Sequence, residues 1–67
     1  MNWFEYVGKR VLITRKLTGY ALEEAIVVEV SPSGEYVCFD FSPQGGAKRV
    51  WRRADEYKLI EVLDGGE

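Results

Sequence analysis

No histidine stands anywhere in these 67 residues, and cysteine appears once, at Cys38. A lone thiol forms no internal disulfide, and without imidazole or a second thiolate a structural zinc site lacks its ordinary ligands. Packing therefore has to supply the stability. The missing histidine also removes any Ser-His-Asp or Cys-His arrangement, so nucleophilic catalysis would rest on Cys38 alone, activated by a nearby cation. Cys38 lies between Val37 and Phe39 in what reads as a strand, and lone cysteines are among the most buried residues, so a packed thiol is expected. Neighbouring carboxylates, Glu23 with Glu24 and Asp55 with Glu56, point to opposite faces of a strand and do not converge for acid–base work. The glycines at 45, 46, 65 and 66 precede no helix long enough to cradle a phosphate. The chain reads as non-enzymatic, with no metal and no small-molecule cofactor.

Long apolar runs are missing too. The longest aliphatic stretch, residues 25–28, is far shorter than a membrane span or signal-peptide core, and residues 1–6 carry Glu5 and no basic cluster. A cytoplasmic protein without membrane contact is the expectation. The formal net charge of −2 argues against a dedicated nucleic-acid binder, which would concentrate Lys and Arg against phosphates. The charges are nonetheless blocked along the chain. Lys9, Arg10, Arg15 and Lys16 come early, then Glu23, Glu24, Glu29, Glu35 and Asp40, and then Lys48, Arg49, Arg52 and Arg53 crowd together. Blocks of alternating sign suit cross-strand partners on a solvated sheet.

What is present describes one folded domain. Hydrophobic residues make up 46% and aromatics 13%, and a chain this short buries only about 60% of its unfolded surface, too little for two cores. Asn2 with Glu5 three positions on fits a helix start, and Gly8 fits its stop, so residues 3–7 are expected as one helical turn plugging an end of the fold. Residues 9–16 hold Val11, Leu12 and Ile13 and read as a first strand. A loop with Thr18, Gly19 and Tyr20 follows. From Leu22 the alternation is regular, and the expectation is that Ile26, Val28 and Val30 face inward. Ser31-Pro32-Ser33-Gly34 has Pro at the second and Gly at the fourth turn position, a type I β-turn signature. Residues 35–41 form the third strand, with Val37, Phe39 and Phe41 on one face and Tyr36, Cys38 and Asp40 on the other. Ser42-Pro43-Gln44-Gly45-Gly46 repeats the turn chemistry before a fourth strand, residues 47–53. Residues 54–57 read as a single helical turn, residues 58–63 as a fifth strand, and residues 64–67 as a polar tail that frays.

Five short strands, a longer first loop, two tight hairpins and a one-turn helix before the last strand resemble an SH3-like small barrel, the group that includes SH3, Tudor and KOW domains. The stretch Trp51-Arg52-Arg53-Ala54-Asp55-Glu56-Tyr57-Lys58-Leu59-Ile60 is similar to the aromatic, turn and final-strand segment of such barrels. The resemblance spans residues 7–63 and implies an all-β, five-stranded antiparallel barrel forming one domain over residues 1–63. It also implies recognition of other molecules. Departures from the group narrow which. A proline-binding SH3 domain would show paired aromatics in its first loop, where this chain offers Tyr20 alone. A KOW motif would be basic around the second strand, which here is acidic. A Tudor-type aromatic cage needs several converging rings, and Tyr36, Trp51 and Tyr57 are its candidates.

Arg49, Trp51 and Arg53 alternate, so all three lie on one side of the fourth strand. If Val50 packs inward they form an exposed stripe, able to stack an aromatic group or base and to contact carboxylates or phosphates. The alternative is that Trp51 covers the end of the core, with the arginine stems along it and their heads paired to acids. The preferred function is a protein-interaction or adaptor module using Arg49, Trp51 and Arg53 with Tyr20, Tyr36 and Tyr57, since Trp, Tyr and Arg dominate interface hot spots. Its partner is another protein, a second copy included. A nucleic-acid-binding barrel using Arg15, Lys16, Lys48, Arg49, Arg52 and Arg53 as a phosphate track is the rival. A small virus-encoded or accessory inhibitor that occupies a host surface is the third reading.

Overall fold

The structure, a computed structural model, describes residues 2–17, 21–42 and 49–63. Over them the chain forms a one-turn 3-10 helix (Trp3–Tyr6), strands β1 (Arg10–Arg15), β2 (Leu22–Val30), β3 (Tyr36–Asp40) and β4 (Arg49–Arg53), a second 3-10 turn (Ala54–Glu56) and strand β5 (Tyr57–Val62). All four pairings are antiparallel, and the sheet order is β4-β3-β2-β1-β5. Loop residues Thr18, Gly19 and Tyr20, the turn and strand start at 43–48, and the tail at 64–67 lie outside the described residues.

The first turn starts at Asn2, whose Oδ1 accepts from the Phe4 amide at 3.0 Å. It stops at Gly8, where φ is +87°, a left-handed conformation that glycine alone adopts without steric cost. Gly8 N then donates to Val27 O at 2.7 Å and Val27 N to Lys9 O at 3.0 Å, which ties the turn to β2. Trp3 goes into the core, while Phe4 and Val7 stay about half exposed.

The core is Trp3, Val11, Ile13, Ala25, Val27, Val37, Phe39, Phe41 and Tyr57. Phe39 sits among three rings: Trp3 at 5.5 Å and 85°, Tyr57 at 5.3 Å and 60°, and Phe41 at 5.7 Å and 42°. Edge and tilted contacts of this kind suit the ring quadrupole and add to the burial of apolar area. The expected inward set of β3 is therefore observed.

The expected inward set of β2 is corrected. Ala25 and Val27 are fully buried, whereas Ile26 and Val28 are half-buried outside the core cluster and only Val30 of the expected three packs on it. The cause is a β-bulge: Val27 pairs with Phe39 and Glu29 with Cys38, leaving Val28 as an extra residue. Val27 and Val30, three apart in sequence, thus end on the same face, which a strict two-residue period does not allow. A second bulge inserts Ile60 between Leu59, paired with Ile13, and Glu61, paired with Leu12.

The turn at residues 31–34 forms as its sequence predicts, with Gly34 N donating to Ser31 O at 2.8 Å. Serine hydroxyls finish it: Ser31 Oγ accepts from Tyr36 N at 3.1 Å and Ser33 Oγ from Glu35 N at 3.2 Å.

The sheet is not closed, so the expected barrel is not confirmed. β4 and β5 are its two end strands and do not pair. The second 3-10 turn explains the gap. Ala54 N donates to Glu35 O at one side and Lys16 N to Glu56 O at the other, so the chain crosses end-on from the β3 side to the β1 side and the two strands leave it separately.

Candidate functional site

β4 meets β3 in the register Tyr36↔Arg53, Val37↔Arg52, Cys38↔Trp51, Phe39↔Val50 and Asp40↔Arg49. Val37 and Phe39 are fully buried, which turns Val50 and Arg52 toward the core side and Arg49, Trp51 and Arg53 to the outer face. Val50 packs on the core. The condition for an exposed stripe is thus met: Trp51 is 48% exposed and its neighbour Tyr36 is 42% exposed. Both rings are too open to be core residues.

The stripe is ordered by its own contacts. The Arg53 guanidinium lies 6.0 Å from the centre of the Tyr36 ring, within cation–π range. The same group forks onto Asp55, Nε to Oδ1 at 3.3 Å and Nη2 to Oδ2 at 3.1 Å. That fork holds the Asp55 carboxyl below its ordinary range and the guanidinium above its own. Arg49 lies across from Asp40, whose carboxyl is lowered chiefly by the backbone N–H of Ser42, which donates to Oδ1 at 2.9 Å, with Arg49 adding. Beneath the stripe Cys38 is buried, and burial, reinforced by Glu29, pushes its thiol up, so it stays protonated at neutral pH.

Other expected participants are elsewhere. Tyr57 is 3% exposed and belongs to the core, because the 3-10 turn before it resets the alternation that runs through β4. Its hydroxyl accepts from Arg15 Nε at 3.2 Å, and the Arg15 guanidinium lies 5.7 Å over its ring. Tyr36 and Trp51 therefore share a face and Tyr57 does not join them as a cage. Tyr20 and Lys48 lie outside the described residues. The described basic residues of the rival reading are spread over different faces: Arg49 and Arg53 are on the outer face, Arg52 is half-buried on the other, and Arg15 is engaged with Tyr57. Arg52 Nη1 donates to Trp51 O at 3.3 Å.

One feature has no sequence signal. A cleft of about 350 Å³ opens beside the stripe, lined by buried Trp3 and Tyr57 and by exposed Lys16, Glu35, Arg53 and Asp55, with Gly34 and Ala54 completing it. Its walls come from the N-terminal turn, the end of β1, the turn at residues 31–34 and the second 3-10 turn. Segments so far apart share no local pattern, and only Arg53 belongs to both cleft and stripe. Among the described residues no three carboxylate or thiol side chains are grouped to hold a metal, and no helix is long and apolar enough to cross a membrane. Compared with protein-family models, curated proteins and solved structures, the chain finds no match.

Proposed function

We propose that this chain is a non-catalytic binding module on an SH3-like scaffold, and that it engages a protein partner through Arg49, Trp51, Arg53 and Tyr36. The observation that carries the reading is the half-exposed Trp51, flanked by two arginines and set beside an equally open Tyr36. A small domain with its own aromatic core already filled gains nothing in stability by leaving these rings in water. Tryptophan, tyrosine and arginine are also the residues that dominate interface hot spots. Five short strands and a one-turn helix before the last support the scaffold, and the cleft next to Arg53 extends the face. A lone protonated thiol suits a reducing, cytoplasmic setting.

Immobilised wild-type protein and its Trp51→Ala variant, presented to the same cell extract, test the face. The expected result is a retained protein that the variant releases, with circular dichroism unchanged; equal recovery discards Trp51 as the contact. The dispersed basic residues weigh against nucleic acid. Titration with short single-stranded RNA and DNA at low and moderate salt is expected to leave the NMR signals of β4 in place, and salt-sensitive shifts there would favour the rival.

A further inference from the structure

β4 ends the sheet, so one of its edges carries backbone groups that no other strand among the described residues pairs. Their owners follow from the register. Ala54 N donates to Glu35 O at 2.8 Å, and hydrogen-bonded pairs alternate with non-bonded pairs along an antiparallel ladder. Counting by twos from that pair, Val37 with Arg52 and Phe39 with Val50 are the bonded pairs. The N–H and C=O groups of Arg49, Trp51 and Arg53 therefore point to the free edge. Arg52 agrees with this assignment, since its Nη1 reaches Trp51 O, a carbonyl outside the ladder. Its Nε is buried with no hydrogen-bond partner. Arg52 thus reaches over this edge, the kind of charged guard that keeps edge strands from pairing at random.

We infer that β4 receives its partner by strand addition, and that the occupant is an extended acidic segment of another protein with the pattern acid–x–apolar–x–acid. This deepens the function proposed above and rests on it. In antiparallel addition, the residues opposite Arg49, Trp51 and Arg53 exchange backbone hydrogen bonds with them and show their side chains on the same outer face. Arginines flank that row and tryptophan is its centre, so the matching strand has acids at its ends and an apolar residue between them. Of the two arginines in that row, Arg49 has no ion pair among the described residues, and Arg53 holds Asp55 in an exposed pair that an incoming acid would exchange. No two acidic residues of this chain stand four positions apart, so a second copy does not supply the pattern.

Three end-blocked heptapeptides test the inference on the ¹⁵N-labelled full chain: TETVTET, its basic counterpart TKTVTKT, and TETVTET N-methylated at both glutamates and the valine. The acidic peptide is expected to shift the amide signals of Arg49, Trp51 and Arg53, slow their hydrogen exchange, and bind at least about tenfold tighter than the other two, a difference easily read from Kd values. A double charge reversal, Arg49→Glu with Arg53→Glu, is expected to switch the preference to the basic peptide. Equal binding of the N-methylated peptide overturns strand addition, yet leaves a side-chain contact at Trp51 standing. Equal binding of acidic and basic peptides overturns the acidic class. Absence of any shift on β4 overturns the inference as a whole, and the Trp51→Ala comparison in extract then reports separately whether the face binds a protein.

Discussion

Phe39 and Trp51 are aromatic side chains in opposite surroundings, one fully buried and one about half exposed. Phe39 has no exposed surface and touches three other rings, so Phe39→Ala is expected to cost about 3–5 kcal/mol. For a domain of this size that is most of its stability, and denaturant unfolding will show a collapsed or missing transition. Trp51→Ala removes a half-exposed ring and is expected to cost roughly 1 kcal/mol or less. It also uncovers Cys38, its cross-strand partner, so the reaction of that thiol with a disulfide reagent is expected to quicken in the variant; an unchanged rate would mean the indole does not shield it. The Asp55 carboxyl, held down by Arg53, is expected to titrate below the usual aspartate value of about 3.9. A depressed carboxyl stabilises the fold above its unfolded value, and that contribution disappears as pH falls through the folded one. NMR titration of the carboxyl carbon reads the midpoint, and Arg53→Ala is expected to move it up.

Among the elements, the hairpin at residues 31–34 and the shared side of Arg49, Trp51 and Arg53 on β4 were legible in the sequence, because proline, glycine and strict alternation are local geometric facts; that this side faces outward was not, since it depends on where Val50 packs. Gly34 sits at φ +81° with only ordinary contact between an added Cβ and Phe4. Gly34→Ala is thus expected to destabilise by about 1–2 kcal/mol through backbone strain and not through crowding. The inward face of β2 was not legible. Both of its parities are aliphatic, Ala25 and Val27 on one and Ile26, Val28 and Val30 on the other, so a period of two cannot choose between them, and the bulge at Val28 then breaks the period. Deleting Val28 leaves the pairs Val27↔Phe39, Glu29↔Cys38 and Val30↔Val37 contiguous. The shortened chain is expected to fold with those cross-strand contacts intact, as nuclear Overhauser effects between the paired residues will show. Deleting Val27 instead, which removes a buried core residue, is expected to abolish the fold. The position of Tyr57 was missed for a related reason, since three residues of 3-10 turn stand between it and the alternation of β4.

For the molecule as a whole, strand number and antiparallel order follow from turn spacing, but sheet closure depends on how far β4 and β5 diverge, which no local pattern records. The cleft shared by four distant segments was hidden for the same reason. With one free cysteine and no grouped metal ligands among the described residues, reductant and chelator are expected to leave the thermal midpoint unchanged, and a shift with either would reveal a crosslink or an ion. The pairing of β1 with β5 has a further effect in time. Arg15 is joined to Tyr57 across most of the chain, and β1 needs both neighbours to cover Val11 and Ile13. A chain still being synthesised has β2 beside β1 before β5 exists, so its first strand keeps one open side until β5 has been added. Such distant pairing makes folding comparatively slow, and it makes the newborn chain, more than the finished one, the form that is prone to stick to its neighbours.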